Sequence, residues 1–167
     1  EIKDIEKISI GIALPENDED ICKLFRPKNT PELLLFSSKE VADKYTGKTD
    51  KCIFRHCENA EQAKACLKNH DIKAIIIDIN YGKKHDDDYL NIEDEASEAR
   101  DFFYFAHENH NGTPIYFIET AERDFDREEI VSFMRKGVKG IVDGSDKNGV
   151  FAEEVESLCI KLHQQQS

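Results

Sequence analysis

Asp78 is the residue of this chain best placed for chemistry. It closes the apolar part of the run Lys73-Ala74-Ile75-Ile76-Ile77-Asp78-Ile79-Asn80, in which four apolar residues lead straight into one carboxylate. A short continuous apolar run reads as a strand buried on both faces, as in parallel sheets. Asp78 then falls at the strand's carboxyl end, where open α/β sheets put their ligand sites. An isolated buried carboxylate is costly, so Asp78 is either functional or paired. A second constellation is Cys52, His56, Cys57, Cys66 and His70. Cys66 and His70 stand four apart on one helix face, a spacing two zinc ligands can use. No C-x-x-C pair accompanies them, and small core residues are the plainer reading. His85-Asp86-Asp87-Asp88 opens an acidic stretch reaching Glu95, but it lacks the glycine and spacing of a calcium loop. It reads as a solvated loop above the Asp78 crevice. His107 and His110 read as partners of a helix C-terminal dipole. No G-x-S-x-G, G-x-G-x-x-G or G-x-x-x-x-G-K-[ST] segment is present, which removes the common nucleophile and nucleotide-loop devices.

The elements that must position these residues alternate between strand and helix patterns. Leu33-Leu34-Leu35-Phe36 reads as a strand, and Ser38 as the N-cap of a helix over about 39–46. Cys52-Ile53-Phe54 reads as a second strand. Asn59 is placed to cap a helix over about 60–69. The third strand is 74–79. Further helices are expected over about 96–108, around Ile130–Met134 up to Gly137, and from Val150 to about 163. Pro114–Ile118 and Gly140-Ile141-Val142 supply the fourth and fifth strands. This order implies a parallel sheet with right-handed crossovers. The expected fold is a doubly wound, flavodoxin-like five-stranded sheet with helices on both faces over 31–167. Residues 1–30 depart from the repeat. The alternation over Ile8–Leu14, the turn-rich Pro15–Asp20 and the run Ile21–Phe25 suggest a β-hairpin extension, or else a strand followed by a short helix.

Composition narrows the function further. The 167 residues carry 23 basic and 35 acidic side chains, a net charge of −12. That balance argues against a nucleic-acid or anionic-membrane partner, both of which need basic patches. No apolar run approaches the roughly 20 residues of a spanning helix, and no signal peptide is evident. Five scattered cysteines do not form a disulfide framework, so they are expected to be reduced in a cytoplasmic protein. The first residue is Glu1 rather than Met, which suggests a domain cut from a longer polypeptide.

From about residue 32 to 163 the pattern resembles the receiver domains of two-component response regulators. AIIIDI ending near Asp78, PIYFIET ending near Thr120, MRKGVKGIVDG and a last amphipathic helix carry the likeness. The resemblance implies that Asp78 holds the phospho-acceptor position. It also implies that the backbone carbonyl of Asn80 helps bind magnesium, and that Thr120 is the hydroxyl switch. By spacing from Pro114 the switch place falls on Glu119 instead. Departures from the family are equally specific. Where receivers carry an acidic pair after the first strand, this chain has Ser37 and Ser38, which cannot hold a hard cation as carboxylates do. Where receivers carry a lysine after the fifth strand, Asp143 or Gly144 falls, and the nearest lysine is Lys147. If Ile8–Leu14 were the first strand, Glu16 and Asp18 would supply the acids.

The resemblance therefore implies a regulatory module rather than an enzyme, weakly or not phosphorylated, that docks through roughly residues 127–163. Its partner would be an output domain of the same polypeptide (DNA-binding, enzymatic or ATPase), another signalling protein, or a second copy. No cofactor is firmly implied. Two alternatives stay open. One is a working phospho-acceptor with magnesium held by Asp78, Asn80 and a further acid. The other is a flavodoxin-like enzyme or small-ligand binder with a crevice of Ser37, Ser38, Asp78, Thr120 and Gly144.

Overall fold

The computed structural model describes residues 30–81, 97–120, 125–144 and 150–166. The expected hairpin within 1–30, the acidic loop 83–95 and Lys147 lie outside the described residues, as do Glu16 and Asp18.

Ten elements alternate through the described chain. They are β1 (Glu32–Phe36), α1 (Lys39–Tyr45), β2 (Ile53–Cys57), α2 (Ala60–Asn69), β3 (Ile72–Ile77), α3 (Glu98–Asn109), β4 (Ile115–Thr120), α4 (Arg127–Arg135), β5 (Gly140–Gly144) and α5 (Val150–Gln166). All five strands pair in parallel in the order β2-β1-β3-β4-β5. This is the flavodoxin-like doubly wound order expected from the sequence, with its switch point between β1 and β3.

Local chemistry accounts for the helix starts. Ser38 accepts the Val41 N–H at 3.2 Å and Asn59 accepts the Gln62 N–H at 2.8 Å. Ser97 caps α3 through the Arg100 N–H at 3.0 Å. Asp126 opens α4 with a capping box: its carboxylate takes the Glu129 N–H at 2.8 Å, and Glu129 returns the contact at 3.3 Å. Gly137 ends α4 at φ +108°, where a side chain would also collide with the His107 ring.

The sheet separates two apolar cores. Leu34, Phe36, Ile75, Ile77 and Phe117 face α2, α3 and α4, joining Ala63, Phe102, Phe103 and Phe133. Leu33, Leu35, Ala74, Ile76 and Val142 face α1 and α5, joining Tyr45, Phe151, Val155 and Leu158. Alternation along each strand sends neighbours to opposite faces, and helices on both faces make the strands apolar throughout.

Strand bounds differ from the expectation in instructive places. β3 runs Ile72–Ile77 rather than 74–79, because Asp78 turns the chain while Ile72 pairs with Glu32 across an irregular register. β2 extends through Arg55 and His56 to Cys57. As an edge strand it tolerates half-buried polar residues, and the Arg55 guanidinium reaches the Glu32 carboxylate at 2.7 Å.

The strand-end crevice

Asp78 stands at the carboxyl ends of β1 and β3, the switch point of the sheet. One residue beyond β3, Asp78 donates its N–H to the Phe36 carbonyl at 2.9 Å, which extends the ladder to the last residue of β1. Its own carbonyl accepts the Tyr81 N–H at 3.0 Å, closing a turn. The carboxylate takes the Asn80 N–H at 3.1 Å, an Asx turn that aspartate favours for this reason. Asp78 is 7% exposed. Phe36 lies under the turn, stacked on Phe102 at 5.1 Å and edge-on to Tyr81 at 5.8 Å. Burial, helped by Glu58 and Glu98, pushes the Tyr81 phenol above its ordinary range.

The serines after β1 belong to the same strand ends. Ser37 is fully buried; its N–H goes to the Cys57 carbonyl at 3.2 Å and its hydroxyl donates to the Ser38 carbonyl at 2.9 Å. His56 Nε2 contacts the Ser37 carbonyl at 2.8 Å. Both hydroxyls are therefore occupied locally, one on backbone and one as a helix cap.

At the far side, β4 and β5 pair with Glu119 opposite Asp143 and Thr120 opposite Gly144. The Glu119 carboxylate accepts the Phe125 N–H at 3.1 Å, binding the residue just before the α4 cap. Gly144 is buried against this pair. A Cβ there would lie 2.4 Å from the Glu119 carbonyl oxygen and 2.8 Å from the Ile118 side chain. Asp143 gives its N–H to the Glu154 carboxylate of α5.

Magnesium, which the receiver resemblance implies, finds a poor fit among these residues. The described strand ends offer Asp78 but only neutral Ser37 and Ser38 where further carboxylates would be needed. Among the described residues no group of three His, Cys, Asp or Glu side chains converges to hold a metal ion. Cys66 is instead buried in the core beneath α2, α3 and α4, and His70 lies 3.8 Å from Glu32.

A groove that strand-end reasoning does not anticipate runs along β5, with a volume of about 820 Å³. Lys139, Ile141, Glu153, Ser157 and Lys161 are among its lining residues. Outside the groove, the apolar residues Val131 (41% exposed) and Met134 (46%) stand on α4 and Ile160 (60%) on α5. Their exposure was hidden in the sequence because helical periodicity shows an apolar stripe, not whether a neighbour covers it.

No protein-family model and no curated protein matches the chain. Solved structures do. The receiver domain of the Francisella response regulator 1452 is 10% identical, with a TM-score of 0.56 over 82% of this chain and 99% of that one. The signal receiver domain of an HD domain-containing protein from Pseudomonas fluorescens gives 12% identity and a TM-score of 0.59, over 84% and 95%. NtrX from Brucella abortus gives 14% and 0.61, with 82% of this chain covering 28% of that one. The chain thus has the receiver-domain fold, a five-stranded flavodoxin-like α/β sandwich. No described helix is long and apolar enough to cross a membrane.

Proposed function

We propose that this chain is a regulatory receiver-like module that acts by docking, without efficient phosphorylation of Asp78. The docking surface is α4–β5–α5, within residues 127–163. The observation that carries the reading is the exposure of Val131 and Met134 on α4 and of Ile160 on α5, the helices that pack on the two faces of the sheet next to β5. Large apolar side chains left in water on both of these helices favour an interaction surface there. The partner is an output domain of the same polypeptide or another signalling protein. The HD domain-containing protein and NtrX, each larger than its receiver-like part or named for a further domain, support the first arrangement.

The crevice supports the second half of the reading. Phosphoryl transfer to a carboxylate needs a cation to neutralise charge on donor and acceptor. Ser37 and Ser38 withhold the carboxylates for a metal. Asp143 or Gly144 falls where a pairing lysine would be, and at Gly144 the Glu119 carbonyl occupies the space a Cβ would need. Glu119, next to the switch candidate Thr120, adds a carboxylate that disfavours a second anion nearby.

An amide NMR titration with magnesium, then beryllofluoride, tests this. Absent shifts at Asp78, Ser37 and Thr120 at millimolar magnesium support the reading. Saturable shifts there, lost in Asp78→Ala, would establish a phospho-switch and overturn it.

A further inference from the structure

α4 presents a solvent-facing stripe that the packing of the sheet leaves uncovered. Arg127, Val131 and Arg135 follow one another at four-residue intervals, so they share one face of the helix. With Glu128 and Ser132 they line a cleft of about 310 Å³. All five are exposed.

Two arginines at this place need an explanation. The chain has 35 acidic and 23 basic side chains, so carboxylates outnumber the cations that could pair with them. Arg55 is paired with Glu32, and Lys73 with Asp71. Among the described residues, neither Arg127 nor Arg135 has an ion pair or a side-chain hydrogen bond. The charge beside them is lopsided as well. From Ile130 to Val142 the chain carries Arg135, Lys136 and Lys139 and no acid. Glu128 is the one carboxylate among the residues lining the cleft.

We propose that this cleft docks an acidic helix of a partner protein, in which two carboxylates flank an apolar side chain. Arg127 and Arg135 are eight positions apart on α4, a rise of about 12 Å. Carboxylates two turns apart on a partner helix have nearly the same separation, about 11 Å. The apolar side chain between them then rests on Val131, inside the two ion pairs. Arginine suits this task. Its planar fork meets a carboxylate through two parallel N–H donors, and it is less strongly hydrated than lysine. Ser132 adds a hydroxyl donor. Arginine is also enriched in protein interfaces, where lysine is depleted.

The net charge of −12 does not oppose such a partner. At physiological salt, exposed charges more than about 8 Å away are largely screened, so the local cations decide. The inference rests on the docking reading above and supplies the chemistry of the partner.

The test titrates the isotope-labelled whole chain with three synthetic helical peptides. They differ only in the two residues that flank a central leucine two turns apart: glutamate, glutamine or lysine. Amide NMR maps the contact, and fluorescence anisotropy gives the affinity. The expected result is saturable shifts over 127–135 with the glutamate peptide, about tenfold tighter binding than with glutamine, and no binding with lysine. Glu128→Gln should tighten the glutamate peptide. Arg127→Glu combined with Arg135→Glu should reverse the order, so that the lysine peptide binds best. Both positions are exposed, so these substitutions spare the fold. Equal affinity for all three peptides, with shifts still within 127–163, would overturn the acidic partner and leave the docking reading standing. No shifts within 127–163 from any peptide would count against both. Shifts over 127–135 on concentrating the chain alone would assign the cleft to a second copy and overturn the proposal.

Discussion

Gly144 and Glu119 approach so closely across the β4–β5 pairing that a Cβ on the glycine would lie 2.4 Å from the glutamate carbonyl oxygen. Backbone, unlike the tip of a flexible side chain, cannot yield cheaply. Gly144→Ala is expected to cost about 1–3 kcal/mol in a urea unfolding series, through overpacking. Gly112→Ala, where nothing lies within 4 Å, should change stability by less than about 0.5 kcal/mol. Equal effects at both sites would remove the steric argument against a side chain at 144.

At Asp78 the acceptor matters more than the charge. Asp78→Asn keeps an oxygen for the Asn80 N–H and should stay within about 1 kcal/mol of wild type. Asp78→Ala removes that oxygen and should cost about 1–2 kcal/mol more than the asparagine variant. Indistinguishable denaturation midpoints for the two variants would contradict this role.

The capping box of α4 is reciprocal, so its two halves should not add. Asp126→Ala alone is expected to lose about 1 kcal/mol. Adding Glu129→Ala should cost less than it does in the wild-type background, because its backbone contact forms part of the same turn. A double-mutant cycle by chemical denaturation reads the coupling; strict additivity would deny it.

Burial raises the Tyr116 phenol above its ordinary range. Below about pH 9 the phenol is protonated in folded and unfolded chains alike and adds no slope. Above about pH 10 the unfolded chain releases its proton first, the folded state holds more protons, and stability falls as pH rises. Tyr116→Phe should therefore show a shallower alkaline loss of stability than wild type in paired urea titrations. Parallel curves would mean that the phenol does not contribute.

Much of the fold was legible because its signals are local. The strand run before Asp78 and the caps Ser38 and Asn59 needed no tertiary information. Asp126 with Glu129 carries a capping-box pattern too, a local signal just ahead of the apolar stripe at Ile130–Met134. The strand end of β3 was misplaced because Ile79 continues the apolar run after the chain has turned at Asp78. Gly144's confinement was illegible for a different reason. It depends on the register of β4 against β5, which no local pattern encodes.

The sheet acts as a partition with two margins. α4 belongs to one interior and α5 to the other, and β5 is the border strand between them. Whatever grips α4 and α5 together touches both compartments at once, without having to send a signal through the wall of strands. β2 forms the opposite margin, and Cys57 and Cys52 at its two ends reach into the same two compartments from the other side.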